Sequence, residues 1–380
     1  MVRQRPSTRA TAAARRSRAD PRPTPVTRPQ SSRNGPLIVR LDEPDAADPS
    51  TVGPKMTRLA ELRGWRTKVP EAFCISTRVF ETCLKSQGLE AWLRQRESDW
   101  SEDDTNHLAQ MSRQCQAAIR AVDIEPATVQ LIADAYRWLC ALSGEPTLPV
   151  AVRSSATGED SADNSFAGQY DSLLNVTGPD ALIDAVQAVW ASLFSERALR
   201  YRRQKKRSFV TSPMAVIVMP MVSARCAGVA FSADPVTGKR DRIVIEACWG
   251  YGEAVVQGLT VPDRIMVDKE DYRILDYAIG SKEIHSQLDP QSQSIQEIET
   301  PSGLRSEACL TRDEVLGIAE TVHELERRTA QPVDTEWVLS KENVPIFVQL
   351  RPVTSLRSGT GDTSASHPVR AAARWRRKPR

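Results

Sequence analysis

The sequence predicts an α+β protein of two mixed α/β lobes, with a basic, disordered tail at each end. Residues 76–142 repeat apolar side chains at helical spacing, whereas short apolar segments separated by turn residues, typical of strands, prevail after residue 212. The first 36 residues contain six prolines and almost no large aliphatic side chains, so they cannot bury enough surface to offset the entropy of ordering. The predicted segments are an N-terminal tail at 1–36, a first lobe at 37–211, a second lobe at 212–355 and a C-terminal tail at 356–380.

Charge divides the chain in the same way. Residues 1–40 carry a net charge of +9 and residues 357–380 a net charge of +6, which leaves −12 on the segment between them because the whole chain carries +3. Basic tails can contact nucleic acid or another acidic surface. A solvated tail is the simpler interpretation, and we expect no nucleic-acid partner.

Cysteines and apolar runs predict a cytoplasmic protein. The seven cysteines form no CxxC pair and show no zinc-ligand spacing, which favours reduced thiols in the cytosol. The longest apolar run, at 214–222, is interrupted by Pro220 and is too short to span a bilayer, so we expect no membrane association. The Arg-rich, acid-poor N-terminal segment is also typical of an organellar transit peptide, so an organelle is the alternative location.

The first lobe is predicted to begin with a strand, a helix and a return strand. PLIVRLDE and VPEAFCIST have the apolar runs of short strands. Between them, apolar side chains recur at helical spacing at Met56, Leu59 and Leu62. Lys55 then lies close to Gly53 at the start of a helix, a position that suits a bound phosphate. A solvated lysine would show the same pattern.

The stretch at 150–176 predicts a hairpin with a long mobile tip. It reads VAVRSSATGEDSADNSFAGQYDSLLNV, with strand-like ends and small, polar or acidic residues between them. Arg153 stands at the root of this hairpin and Gly168 in its tip. A helix capped by Asp180 is predicted to follow and to run to about residue 206, because its apolar side chains recur at a period of 3.6 residues.

The second lobe is predicted to be rich in strands and to end in a hairpin, DTEWVLS with VPIFVQLRPV. Its other elements are the strands MAVIVMPMV, CAGVAFSADP, DRIVIEACWG, PDRIMVDK and YRILDYAI, and a helix at 311–330. A buried acid such as Glu336 needs an arginine or a cation as partner. An internal ion pair between Glu336 and Arg351 on the neighbouring strand would meet this need. Together with Lys55, Arg153 and the mobile tip, however, Glu336 favours a site for a nucleotide with Mg²⁺.

These motifs resemble the ATP-binding, ATP-grasp part of the pyruvate phosphate dikinase and phosphoenolpyruvate synthase family, which includes the rifampicin phosphotransferases. RSSAT, SFAGQ and the closing QLRP are the most specific of them. Further matching segments are VGPKMTRLAEL, VWASLFSERALRYR, AGVAFSADPVTG and GYGEAVVQGLTVPD. The resemblance spans residues 55–354 and implies an ATP-grasp fold in which ATP and Mg²⁺ bind between two lobes.

The resemblance implies a catalytic group of three cations and a pair of metal ligands. Lys55 matches the family lysine that reaches the nucleotide phosphates, and Arg153 matches the arginine of RSSAT that contacts the phosphate chain. Arg351 matches the arginine of the closing strand. Glu336 and Gln349 match the pair that holds Mg²⁺ together with the phosphate oxygens.

Three further positions are implied to bind the nucleotide. Gly168 lies in the SFAGQ loop, which the resemblance makes a lid over the phosphates, and Ser172 stands where the family usually has threonine. Met219 stands where the family usually has glutamine facing the base, which puts base selectivity in question. The family's GGK is GPK here, with Pro54 stiffening the approach to the lysine, and its GLGE is GYGE.

The resemblance also implies an ATP-dependent phosphotransferase, of the kinase or dikinase type, that phosphorylates a histidine on a swivelling domain. Only 13 residues follow His367, so we expect that domain on a separate partner chain, without which the enzyme is incomplete. The alternative is a non-catalytic ATP-binding regulatory module left by loss of the phosphohistidine and acceptor domains, which Met219 and Pro54 favour. The sequence does not identify the final acceptor.

Overall fold

A computed structural model describes residues 35–99, 105–157, 170–205, 207–208, 210, 213–289 and 291–353. Both predicted tails lie outside the described residues, except for residues 35 and 36. Gly168, which was predicted to bind the nucleotide, also lies outside them. Helices and antiparallel sheets occur together, which confirms the α+β class. Within the described ranges, no helix is long and apolar enough to cross a membrane.

The helical stretches predicted at 76–142 and 311–330 are confirmed. The helices of the described residues are α1 Pro49–Gly64, α2 Thr77–Ser86, α3 Leu89–Ser98, α4 Thr105–Arg120, α5 Pro126–Ser143, α6 Pro179–Ser192, α7 Glu196–Gln204, α8 Glu253–Val256, α9 Ser302–Arg305 and α10 Arg312–Thr329. α1, α7 and α10 begin at residues whose side chains cap the helix. The side chain of Thr311, for example, accepts a hydrogen bond from the Glu314 backbone N–H, and the Glu314 carboxylate accepts one from the Thr311 N–H.

The single helix predicted from 180 to 206 is wrong, because two helices occupy this stretch. The chain leaves α6 after Ser192, and Ser195 starts α7 by accepting a hydrogen bond from the Ala198 N–H at 3.2 Å. The residue that precedes α6 is Gly178, and Asp180 lies in its first turn. Apolar periodicity continued through the break, which is why the sequence pattern concealed it.

The predicted strands are confirmed, and one hairpin was not predicted. The strands are β1 Ile38–Arg40, β2 Phe73–Ile75, β3 Val150–Ala156, β4 Ser172–Val176, β5 Met214–Pro220, β6 Ala224–Phe231, β7 Arg242–Trp249, β8 Asp263–Asp268, β9 Ile274–Ala278, β10 Ile284–Asp289, β11 Ser294–Glu299, β12 Val333–Ser340 and β13 Pro345–Pro352. β10 and β11 form the hairpin that sequence analysis missed. Most side chains of β11 are exposed, so it lacks the apolar alternation that predicts a strand.

The first sheet has the strand order β1-β2-β5-β3-β4, with all neighbours antiparallel. Sequence analysis had assigned the β5 segment to the second lobe, but β5 pairs with β2 on one side and with β3 on the other. All of β5 except Pro220 is buried. A strand this apolar has to be buried on both faces, and its position in the centre of the first sheet buries it in this way.

The second sheet has the order β13-β12-β6-β7-β8-β9, again antiparallel, and α10 packs against it. α1 contributes to an apolar cluster that contains side chains of both sheets, including Met56 and Leu59 of the helix, Ile217 of β5 and Phe347 of β13. The opposite face of the first sheet packs against α2, α4, α5 and α6. α1 therefore fixes the place where β3 of the first sheet approaches β13 of the second.

All seven cysteines are buried free thiols. Burial raises the pKa of Cys83, Cys115 and Cys248 to about 11, so these thiols stay protonated at neutral pH. This state agrees with the scattered reduced thiols that the sequence predicts. The cytoplasmic location itself stays a prediction.

Candidate functional site

Arg153 connects the two sheets. It lies in the middle of β3, and its Nη2 donates hydrogen bonds to Glu336 Oε2 at 2.7 Å and to Gln349 Oε1 at 2.8 Å. Its Nη1 donates to the Val348 carbonyl oxygen at 3.2 Å. The side chains of Arg153 and Glu336 are 15% and 14% exposed, so solvent still reaches both of them. Three residues predicted to act together therefore meet where β3 faces the β12–β13 hairpin.

The β12–β13 hairpin presents four polar side chains on one face. Its register places Asp334 opposite Arg351 and Glu336 opposite Gln349. Because directly opposed residues of an antiparallel pair share a face, and residues two apart along a strand do too, all four lie together. The other face carries Trp337 and similar apolar side chains that are buried in the core. Alternation along DTEWVLS thus separates the polar site from the core.

Glu336 is a carboxylate surrounded by cations. Burial by itself would raise its pKa, but the charges of Arg153 and Arg351, the hydrogen bond from Arg153 and the charge of Lys55 outweigh burial and hold the pKa below its ordinary value. Glu336 is therefore ionised at neutral pH. An ionised carboxylate at this position can accept hydrogen bonds or bind a cation.

The ion pair proposed between Glu336 and Arg351 is a secondary contact. Arg351 Nη2 lies 2.9 Å from Asp334 Oδ2 but 3.9 Å from Glu336 Oε1. Asp334 lies directly opposite Arg351 in the hairpin. The presence of an aspartate two residues before Glu336 was the sequence signal for this pair, and it was overlooked. Glu336 instead makes its shortest contact with Arg153, which belongs to the other sheet.

Lys55 reaches the same strand as Arg153. Its Nζ donates to Ser154 Oγ at 3.2 Å. Gly53 has φ of 72°, which interrupts α1, and a Cβ atom there would lie 2.1 Å from the Ser155 carbonyl oxygen. Glycine thus permits the close approach of this turn to β3, and Pro54 follows it at a position where a helix start tolerates proline. The predicted loop-to-helix junction is wrong in detail, because α1 already begins at Pro49 and Lys55 follows a kink at Gly53 within it.

Ser172 and Met219 occupy different environments. Ser172 lies directly opposite Arg153 in the β3–β4 pair and is exposed, so its side chain is on the same face of the sheet as the arginine. Met219 is 2% exposed and packs in the apolar cluster near Ala151, its partner in β3. The contacts of both residues with a nucleotide stay predictions.

Glu253 is a second carboxylate that belongs to this region. It begins α8 in the GYGE motif, and its Oε2 is buried without a hydrogen-bond partner among the described residues. Burial raises its pKa, Arg153 opposes this shift and Glu336 reinforces it, which places Glu253 within electrostatic range of both. Sequence analysis singled out GYGE but assigned no role to this glutamate.

The oxygen ligands fit a magnesium ion that is also bound by phosphate. No group of three or more His, Cys, Asp and Glu side chains arranged to hold a metal occurs within the described ranges. Mg²⁺, however, is commonly held by one or two protein oxygens together with substrate phosphates and water. Glu336 and Gln349 offer a carboxylate and an amide oxygen that converge on one nitrogen of Arg153.

The described histidines do not join this cluster of contacts. His107 lies in α4 and His323 in α10, where its Nδ1 is 2.9 Å from the Tyr272 hydroxyl. His285 is 6% exposed in β10. Its two ring nitrogens contact Thr300 Oγ1 and Gln287 Oε1 at 3.1 and 3.2 Å.

The fold and these contacts define an α+β protein in which an arginine, a carboxylate and an amide meet between the two larger sheets. Residues 49–369 match the family model described as the pyruvate phosphate dikinase AMP/ATP-binding domain. The match covers most of the chain, and the protein belongs to this family.

Curated relatives agree with this assignment. A probable phosphoenolpyruvate synthase of Methanocaldococcus jannaschii is 33% identical over 329 residues, which cover 87% of this chain and 28% of the relative. A rifampicin phosphotransferase of Streptomyces sviceus is 36% identical over 321 residues, which cover 84% of this chain and 36% of the relative. The chain therefore spans about a third of the length of these two proteins.

Among solved structures, D-alanyl-alanine synthetase A from Vibrio cholerae O1 biovar eltor aligns with 60% of this chain and 46% of its own. The sequence identity is 13% and the TM-score is 0.27. We draw nothing from this similarity.

Proposed function

We propose that the protein is an ATP-binding phosphotransferase module of the ATP-grasp type, which uses Mg²⁺ and transfers a phosphoryl group to a histidine on a separate swivelling domain. The observation that carries the proposal is the meeting of Arg153 with Glu336 and Gln349 between the two sheets. Family membership supports the ATP part of the proposal. The histidine acceptor and the partner chain are the finer part of it.

The cations of the site bind and orient phosphate in this proposal. Lys55 gives up its contact with Ser154 and binds phosphate instead. Arg153 likewise exchanges its carboxylate and amide acceptors for phosphate oxygens. Both cations already contact protein groups in the absence of ligand, so neither has to be newly desolvated. Arg351 is oriented by Asp334 at 2.9 Å, which fixes a third positive group beside Glu336. Phosphoryl transfer depends mostly on positioning and charge neutralisation, and these side chains supply both.

Glu336 and Gln349 are the residues that would hold Mg²⁺. The ion, when bound, neutralises charge on the phosphate oxygens. Release of Arg153 toward the phosphates frees the two protein oxygens that it now occupies. The ionised state of Glu336 at neutral pH favours this exchange, because no proton has to leave before a cation binds.

Nucleotide binding is tested by thermal shift with Mg·ATP. At about 100 times Kd, a ligand that binds only the native state adds about 2.7 kcal/mol to the free energy of unfolding, so a clear rise in Tm is expected. Lys55→Met should weaken binding by about tenfold through loss of one charge-assisted contact. Lys85→Met is the matched control, because Lys85 is 66% exposed on α2. A folded wild-type protein with no shift at millimolar Mg·ATP would rule out the nucleotide site.

Phosphoryl transfer is tested with labelled ATP and a phosphohistidine domain of a family member. We expect acid-labile label on the added domain and little ATP turnover without it. Binding of Mg·ATP without any label transfer would support the alternative, a non-catalytic ATP-binding regulatory module. Rapid turnover by the protein alone would contradict transfer to a separate domain.

A further inference from the structure

The unpredicted β10–β11 hairpin touches both sides of the site. At its base, Ser286 in β10 accepts hydrogen bonds from the GYGE segment: its carbonyl oxygen from the Tyr251 N–H at 2.9 Å and its Oγ from the Ala254 N–H at 2.8 Å. At its other end, the turn of the hairpin contacts β4, the strand that pairs with Arg153-bearing β3. The hairpin thus joins the second lobe to the root of the predicted lid.

The contact with β4 is made by Asn175. Its Nδ2 donates to the Gln293 carbonyl oxygen at 2.6 Å and lies 3.4 Å from Gln293 Oε1. Asn175 is 7% exposed, whereas Gln293 is exposed. Both atoms of Gln293 are oxygens, which only accept hydrogen bonds, so Asn175 contacts them through its NH₂ group as the donor.

The backbone of β4 aims Asn175 at this acceptor. The register pairs Val150 with Val176 and Val152 with Leu173, so two residues of β4 oppose the single residue between them in β3. Asn175 is one of the two and has φ of 59°, in the left-handed region that asparagine tolerates. A β-bulge of this kind redirects a side chain, here out of the strand and toward the hairpin.

The acceptor is held in place by the turn of the hairpin. Asp289 at the end of β10 accepts hydrogen bonds from the Gln291 N–H at 3.0 Å and from the Ser292 N–H at 3.1 Å. The Gln293 N–H donates to the Asp289 carbonyl oxygen at 2.9 Å, and Gln293 itself has φ of 54°. These hydrogen bonds of Asp289 hold the backbone of residues 291–293, so the position of the Gln293 carbonyl oxygen does not depend on the glutamine side chain.

We propose that Asn175 is a positioning residue for the nucleotide site, which acts through the hydrogen bond to the Gln293 carbonyl oxygen to hold the root of the β3–β4 hairpin against the second lobe. This proposal rests on the proposed function. Ser172 lies three residues before Asn175 and directly opposite Arg153, so a displacement of β4 reaches the arginine through one pair of strands. The contact sets how closely Arg153 approaches Glu336 and Gln349.

The test compares Asn175→Gly with Gln293→Gly in the full chain. Glycine tolerates the positive φ at both positions, so backbone strain is the same for the two variants. Asn175→Gly removes the hydrogen bond to the backbone oxygen, whereas Gln293→Gly keeps that acceptor and removes only the longer contact with Oε1 at 3.4 Å. We expect Mg·ATP affinity, measured by calorimetry, to fall about fivefold in Asn175→Gly and by less than about twofold in Gln293→Gly.

Asn175→Asp separates hydrogen bonding from shape. It keeps the size and the tolerance of positive φ but places a carboxylate against the carbonyl oxygen, so we expect affinity to fall at least as far as in Asn175→Gly. Wild-type affinity in Asn175→Asp, or equal losses in the two glycine variants, would overturn the proposal.

Amide hydrogen exchange tests the contact without nucleotide. Faster exchange in β4 and in the turn after β10, in Asn175→Gly but not in Gln293→Gly, is the expected result. Unchanged exchange in Asn175→Gly would overturn the positioning role. If the wild-type protein failed to bind Mg·ATP while the exchange difference appeared, the nucleotide proposal would fall and the contact between lobes would stand.

Discussion

Two ion pairs of the protein differ in their surroundings: one lies inside the second lobe, and the other joins two sheets. Asp263 and Lys282 are both 0% exposed and lie in the same lobe. Asp263 also accepts hydrogen bonds from the Gly280 N–H at 3.0 Å and the Cys309 N–H at 2.7 Å, both fixed backbone donors. Glu336 and Arg153 come from two different sheets and keep 14% and 15% exposure.

The difference separates a structural ion pair from one that can bind a ligand. Every partner of Asp263 described above belongs to the same lobe, and neither member of the ion pair is exposed to solvent. Arg153, in contrast, contacts two side-chain oxygens across the gap between two sheets, and phosphate and a cation offer each side an equivalent partner. Burial together with the kind of partner, rather than the presence of an ion pair, indicates where ligand chemistry is possible.

The largest expected effect is on the fully buried pair. Lys282→Met leaves the Asp263 carboxylate without its cation, and removal of one partner of a buried pair costs about 3–5 kcal/mol of unfolding free energy. Urea denaturation measures this loss. Lys85→Met, which removes a lysine that is 66% exposed and 3.9 Å from Glu81, should cost less than about 1 kcal/mol. Similar losses in the two variants would contradict the structural role of Lys282.

Glu336→Gln should reduce Mg·ATP binding more than it reduces the stability of the fold. Arg153 keeps its contacts with Gln349 and the Val348 carbonyl oxygen, and Arg351 keeps Asp334. We expect Mg·ATP affinity to fall by about tenfold or more and unfolding free energy without nucleotide to change by about 1 kcal/mol or less. Several kcal/mol of lost stability with unchanged affinity would make Glu336 the structural partner instead.

Acid titration gives a smaller effect on the same residue. Because the folded state lowers the pKa of Glu336 below its ordinary value of 4.5, its ionised form stabilises the fold above that value. This stabilisation is lost as pH falls from 4.5 through the lowered folded pKa. Unfolding free energy measured in this range should therefore decline more steeply in the wild type than in Glu336→Gln. Parallel declines would show that the two arginines do not act on this carboxylate.

The smallest expected effect is at Glu253, where the sign reverses. Burial raises its pKa, so the folded state binds the proton more tightly than the unfolded state, and ionisation destabilises the fold as pH rises above 4.5. Glu253→Gln should therefore raise the unfolding free energy at pH 7 by on the order of 1 kcal/mol. The gain should vanish below pH 4.5, which denaturation at both pH values checks. A loss of stability at pH 7 would indicate a partner that holds the ionised form.

Local sequence patterns were enough to predict most helices and strands and part of the site. Apolar spacing located α1, α10 and most strands, because periodicity depends only on neighbouring residues. Alternation along β12 and β13 placed Glu336, Gln349 and Arg351 on one hairpin with their polar side chains together. Family motifs added Lys55 and Arg153 as members of the same group.

Contacts between residues that are distant in the sequence depend on how the chain folds. Arg153 and Glu336 are separated by 183 residues, and no local pattern specifies that contact. The place of β5 in the first sheet depends on which strands cover it, and the β10–β11 hairpin has too few buried side chains to leave a periodic signal. The pKa values of Glu336 and Glu253 shift in opposite directions for the same reason: packing brings two arginines to Glu336, whereas one oxygen of Glu253 is buried without a donor among the described residues.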